Sequence, residues 1–193
     1  MFDLGRHLVR SGIEVLYITR KSRPDKPLFQ SLGPLCRIYR IEVGPPFEVS
    51  HHELWTEIEI VSQRVTEISN GEDGISTVMS YNWISGLAAM ATGVRPLVHH
   101  ILSLGRSRIA LGEESDASDL ARDQGEVRVF SAADRLICVC RDEINSLKRL
   151  YPEVDDAKAV VIPYGVDPNV YYERPLHTDL FLCRSTQRFQ ERS

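Results

Sequence analysis

What most constrains this chain is an alternation. Runs rich in Val, Ile and Leu recur along it and alternate with stretches of helical periodicity. The runs are IEVLYIT (Ile13–Thr19), CRIYRIEV (Cys36–Val43), ISTVMS (Ile75–Ser80), RPLVHHI (Arg95–Ile101), RLICVC (Arg135–Cys140) and KAVVIP (Lys158–Pro163). Leu54, Ile58, Val61, Val65 and Ile68 fall on one helical stripe, and Ile84, Leu87, Ala88 and Ala91 on a second. Ile144, Leu147 and Tyr151 form a third, which Pro152 stops. Strands that are apolar almost throughout, with helices between them, belong to parallel sheets covered on both faces. The spacing therefore predicts an α/β fold, a Rossmann-like doubly wound parallel sheet. Ligands of such sheets lie outside the carboxyl ends of the strands. That places the segments after Met79, Val98 and Ile162 on one rim. After Pro175 the pattern dissolves, so residues 1–175 read as the domain and 176–193 as a tail.

Composition narrows the function classes. With 193 residues the chain suits one domain. Its net charge of −4 gives no reason to expect nucleic acid or an anionic membrane as partner. No apolar run approaches the roughly 18 residues that a membrane-spanning helix needs. Cys36, Cys138, Cys140 and Cys183 are scattered and too few for a disulfide framework. Cys138 and Cys140 share one side of a strand and read as buried thiols rather than a metal or redox pair. A reducing, cytoplasmic setting is expected.

Several stretches, taken in order, resemble the N-terminal domain of family 4 glycosyltransferases, enzymes of the two-domain GT-B fold. GRHLVRSGIEVLYITR (Gly5–Arg20) is similar to that family's first helix and second strand, and SYNWISG (Ser80–Gly86) to its Ser-His-Tyr-Trp-x-Ser-Gly segment. GEVRVFSAADRLICVCRDE (Gly125–Glu143) resembles a helix, a strand and the Glu opening the next helix. VIPYGVDPNVYYERP (Val161–Pro175) is similar to the signature that closes the domain. The nearest branch is that of sucrose-phosphate synthases and inositol-phosphate glycosyltransferases. The resemblance implies one half of a GT-B fold and a retaining transfer from a nucleotide sugar to a small-molecule or glycan acceptor. The acceptor would sit on this domain. Neither cofactor nor metal is implied, since positive groups and backbone amides stabilise the departing diphosphate.

The same resemblance assigns the rim. LSLGRSR (Leu102–Arg108) aligns with a His-Ser-Leu-Gly-Arg segment, so the family histidine position is Leu102, which can neither donate nor accept a hydrogen bond. His100 is a possible substitute through a local bulge; otherwise His99 and His100 are strand-end histidines. Arg122 falls where the branch grips an acceptor phosphate, and Ser103 keeps a hydroxyl the branch uses. His51 stands in place of a lysine and Asn82 in place of a tyrosine, which suggests a different acceptor. Arg106 and Arg108 are candidates for the donor diphosphate, and Glu126 for orienting an arginine or capping a helix. Each arginine has a plainer alternative as a solvated surface residue. GEESDASD (Gly112–Asp119) reads as a solvated loop over the cleft, and Asp167 as turning the exit loop.

Relative to that family, the first central strand with its Gly-Gly loop and the whole donor domain are not in the sequence. The expectation is a fragment, inactive alone, whose sheet shows a gap or a rearrangement. The alternative is a non-catalytic binding or interaction module that pairs with a separate donor-domain chain.

Overall fold

The computed structural model describes residues 2–47, 49, 51–110 and 117–166, and the side chains of Phe2, His51, His52 and Arg108 are not among those described. The tail at 176–193, Asp167 and residues 112–116 of the acidic stretch lie outside the described residues.

Helix α1 (Phe2–Arg10) ends at Gly12, whose φ of 81° is the left-handed conformation that suits a helix C-terminus. Gly12 N–H donates to Val9 O and Ile13 N–H to Leu8 O, both at 3.0 Å, which closes the helix and turns the chain into β1 (Val15–Arg20). β1 pairs in parallel with β3 (Cys36–Ile41), from Val15 opposite Cys36 to Arg20 opposite Ile41. Between them in sequence comes β2 (Phe29–Ser31), which pairs antiparallel with β3 on the side away from β1. The sequence pattern did not anticipate β2, because three residues carry no period.

α2 (His51–Leu54), a 3-10 turn (Trp55–Glu57) and α3 (Ile58–Asn70) together cover the first predicted helical stripe. There follow β4 (Val78–Ser80), α4 (Trp83–Ala91), β5 (Leu97–His100), α5 (Gly105–Ala110) and α6 (Ala117–Ala132). The order ends with β6 (Arg135–Cys138), α7 (Arg141–Leu150) and β7 (Ala159–Val161).

The strands form two sheets, ordered β1-β3-β2 and β4-β5-β6-β7, the second parallel throughout. The expected single sheet is thus interrupted between β1 and β4. α3 ties the two parts together by packing on both β3 and α4.

The core belongs to the four-stranded sheet. Leu97, Val129, Phe130, Leu136, Cys138, Leu147 and Tyr151 are at most 1% exposed. Each fully buried Leu or Phe there contributes roughly 2–3 kcal/mol. Burial pushes the Cys138 thiol up to about 11, so it behaves as a small apolar group. Cys140, expected to be buried beside it, is exposed: the strand stops at Cys138 and Cys140 occupies the N-cap position of α7.

Two glycines let α4 and α6 approach closely. A Cβ on Gly86 would meet Val129 Cγ1 at 2.5 Å, and one on Gly125 would meet Trp83 Cε3 at 2.5 Å. This contact fixes the face of α6 on which Arg122 and Glu126 stand.

Candidate functional site

The carboxyl end of β5 carries two histidines that the alternation of a strand sends to different surroundings. His99 is 2% exposed, with Nδ1 2.8 Å from Ser80 Oγ and its ring tilted against Phe130 at 5.5 Å. Burial first, and His100 second, push its pKa down to about 4, so it is neutral and structural at pH 7. His100 is stacked between Tyr81 and Tyr164, each 5.5 Å away. Its Nδ1 is buried with no hydrogen-bond partner among the described residues, and burial lowers its pKa as well. Beyond it Ile101 turns inward at 1% exposed, while Leu102 is 49% exposed to solvent.

Ser103 and Arg122, predicted separately, are brought together. Arg122 Nη2 donates to Ser103 Oγ at 2.9 Å and to Ser103 O at 3.3 Å. Arg122 Nε donates to Glu126 Oε1 at 2.7 Å, one helical turn on. A guanidinium has five N–H donors, and these contacts use one edge of it. Nη1 has no partner among the described residues, and the side chain keeps 20% exposure. The free edge is charged, planar and suited to an oxyanion.

Glu126, by contrast, is 2% exposed. A carboxylate that deep must be paired and hydrogen-bonded. Besides Arg122 it accepts from Gly105 N–H at 2.9 Å and from the Tyr151 hydroxyl, both on Oε2. Only glycine at 105 permits this approach, since a Cβ would lie 2.9 Å from both Arg122 Nε and Glu126 Oε2. Glu126 thus pairs with Arg122 and ties down the start of α5 through Gly105.

The other candidates fall differently. Arg106 is engaged within the chain: it donates to Asp123, to Glu153 Oε1 at 2.6 Å and to Leu150 O at 2.7 Å, and its guanidinium lies 4.4 Å over the Tyr151 ring. These partners raise its pKa further. Asn82 is the N-cap of α4, accepting from Ser85 N–H at 2.9 Å while its own N–H donates to Ser85 Oγ. His51 begins α2 and Arg108 lies within α5; the side chains of both lie outside the described residues. No cluster of three or more His, Cys, Asp or Glu with metal-binding geometry occurs among the described residues.

Tyr151 escaped the sequence pattern, which counted it as an apolar member of the α7 stripe. It is 0% exposed, its hydroxyl donates to Glu126 and accepts from Arg106 N–H at 3.1 Å, and burial followed by the Glu126 carboxylate raises its pKa. The one signal available was chemical, since a buried tyrosine hydroxyl requires a partner.

Residues 1–165 match the family described as glycosyl transferase 4-like domain. The chain is 30% identical over 179 residues to the D-inositol 3-phosphate glycosyltransferase of Kineococcus radiotolerans, covering 90% of this chain and 41% of that protein. It is 32% identical over 174 residues to D-inositol 3-phosphate glycosyltransferase 2 of Catenulispora acidiphila, covering 86% and 40%. The chain thus spans about two fifths of the length of these curated relatives. Among solved structures, sucrose-phosphate synthase from Thermosynechococcus elongatus superposes with a TM-score of 0.76 at 22% identity, over 88% of this chain and 43% of that one. That likeness establishes the fold, one half of the GT-B architecture. Among the described residues, no helix is long and apolar enough to cross a membrane.

Proposed function

The chain belongs to the glycosyl transferase 4-like family, and from that premise we propose that it is the acceptor-binding domain of a retaining glycosyltransferase. A sugar passes from a nucleotide sugar to a polar acceptor at the rim formed by the β5–α5 loop and α6, and a donor-binding domain completes the cleft. The nucleotide sugar is a substrate, and the proposal assigns no cofactor. It places the reaction in the cytoplasm.

The supporting observation is the open edge of Arg122, held by Ser103 and Glu126 at the carboxyl end of β5. A fixed guanidinium recognises phosphate through paired N–H donors, and the relatives' names point to phosphorylated acceptors. We therefore assign Arg122 to bind an oxyanion on the acceptor, with Ser103 as its hydroxyl neighbour. Asn82 shapes the rim as a helix cap, and His51 stays the candidate for a further acceptor contact. Arg106, with its partners inside the chain, supports the site from behind, which leaves Arg108 as the candidate for the donor diphosphate. His100 supplies a histidine near the rim, although its ring lies between two tyrosines.

One observation favours the second reading, a non-catalytic module: Leu102, at the family histidine position, is 49% exposed and offers the rim no polar atom.

The experiment combines binding with turnover. Inositol phosphates and related polyols are screened against the chain by saturation-transfer NMR, and nucleotide-sugar transfer is assayed with the chain alone and mixed with a relative's donor domain. The proposal expects acceptor binding that falls at least about tenfold, or 1.4 kcal/mol, in Arg122→Ala, and transfer only in the mixture. Transfer by the chain alone, or binding indifferent to Arg122, refutes it. Binding without transfer in the mixture, with transfer appearing in Leu102→His, selects the module.

A further inference from the structure

We propose that Tyr151 is a positioning residue. Its hydroxyl, acting through Glu126, sets the guanidinium of Arg122 and the Ser103–Gly105 turn for an anionic group. The proposal rests on the assignment of Arg122 as the oxyanion ligand and extends it to a residue that touches no substrate.

Tyr151 lies just beyond α7, wholly buried, and its hydroxyl meets groups from two other elements. It donates to Glu126 Oε2 on α6 and accepts from Arg106 N–H on α5 at 3.1 Å. The terminal torsion of a glutamate is broad, so one hydrogen bond does not fix the plane of its carboxylate. Two donors on the same oxygen do: Gly105 N–H and the Tyr151 hydroxyl both engage Oε2. Oε1 is then left facing Arg122 Nε at 2.7 Å. With Nε held there and Nη2 held by Ser103, the Arg122 guanidinium is fixed through two of its nitrogens, and Nη1 has no partner among the described residues.

The tyrosine ring has no room to drift. Phe130 meets it edge-on at 5.2 Å, and the Arg106 guanidinium covers it at 4.4 Å. Arg106 is in turn held by Asp123, Glu153 and Leu150 O. The arrangement links α5, α6 and the end of α7 to the Arg122 guanidinium, whose side chain keeps 20% exposure. A donor group ordered before the ligand arrives loses less freedom on binding, so the hydroxyl acts on affinity without touching the ligand.

The test uses the chain itself, with inorganic phosphate as probe and the arginine Nε–H signals followed by NMR. Wild type is expected to bind phosphate with a shift at Arg122. Tyr151→Phe, which keeps the ring and removes one oxygen, is expected to weaken binding about tenfold while remaining folded. A purely structural role predicts a lower unfolding midpoint with unchanged phosphate affinity in the folded protein, and that result overturns the proposal. The assignment beneath it fails differently: no phosphate binding by wild type, or equal binding by Arg122→Ala, removes the anion site itself. Wild type also carries an independent check should Tyr151→Phe not fold. The Arg122 Nε–H is expected to be as rigid as backbone, with an order parameter near about 0.85; a value below about 0.6 overturns the positioning role.

Discussion

Stability should fall below neutral pH, and His99 locates the cause. Protonating it places a charge at a site 2% exposed, with Ser80 Oγ on one side, Phe130 against the ring and His100 next along the strand. Burial, with His100 second, lowers its pKa from 6.5 to about 4. Because the folded value lies below the unfolded one, the unfolded chain takes up the proton first. The contribution of neutral His99 is therefore complete above pH 6.5 and is lost as pH falls toward 4. At about pH 4.5, two units below the unfolded value, the loss is roughly 2–3 kcal/mol, since each pKa unit is worth about 1.4 kcal/mol. That is a large part of a typical net stability of about 5–15 kcal/mol. His99→Asn keeps a polar atom near the Nδ1 position and cannot titrate, but it forfeits the contact with Phe130. It starts less stable at neutral pH and loses less on acidification. His100, also depressed by burial, titrates in both proteins and largely cancels. Urea unfolding at a series of pH values is expected to show the gap between the two proteins narrowing by roughly 2–3 kcal/mol between about pH 7.5 and pH 4.5. A gap that stays constant refutes the assignment of the acid sensitivity to this ring.

Two further outcomes test the scaffold of the rim. Gly86→Ala is expected to destabilise by about 1–3 kcal/mol despite the better helix propensity of alanine, because the new Cβ meets Val129. Adding Val129→Ala should recover part of that loss, so urea curves showing strictly additive effects would rule out the close contact as the cause. Arg106→Met keeps an apolar stem over Tyr151 and removes the partner whose hydrogen bond holds the Glu153 pKa below its ordinary value. An NMR titration should find the Glu153 carboxyl returning upward in the variant, whereas an unmoved pKa denies the pairing.

The elements that could be read from the chain are those whose local pattern and tertiary setting agree. Strands β4 to β7 form an all-parallel sheet, and the runs that hold them are rich in Val, Ile and Leu, so they stand out. β2 exists because β3 offers it an edge, and the three residues FQS (Phe29–Ser31) hold no trace of that partner. α5 is equally silent: GRSRIA (Gly105–Ala110) has no apolar stripe, and the segment is held by contacts from α6 and α7. At the site, Ser103, Arg122 and Glu126 could be named because their types match a family pattern at known places. Their mutual hydrogen bonds could not, since they join a loop to a helix. Arg106 shows the limit most clearly. Beside Arg108 in a basic loop it looks free for a ligand, yet Asp123 and Glu153 reach it from distant positions.

The contrast between Leu102 and Arg122 separates holding an acceptor from assisting a transfer. Along the exit from β5, His100 and Ile101 are buried and Leu102 turns outward. A single exposed leucine costs the fold nothing. It supplies no proton and no hydrogen bond, so nothing at that position can respond to charge developing on a reacting sugar. Arg122 differs in kind, being fixed through Nε and Nη2, with its Nη1 edge unpartnered among the described residues. In the proposed function an acceptor's oxyanion meets a prepared cation, while the chemistry of transfer lacks a side-chain partner at the position where the family places one. Binding and turnover should therefore respond to different substitutions: Arg122 governs occupancy of the rim, and position 102 governs what happens to the occupant.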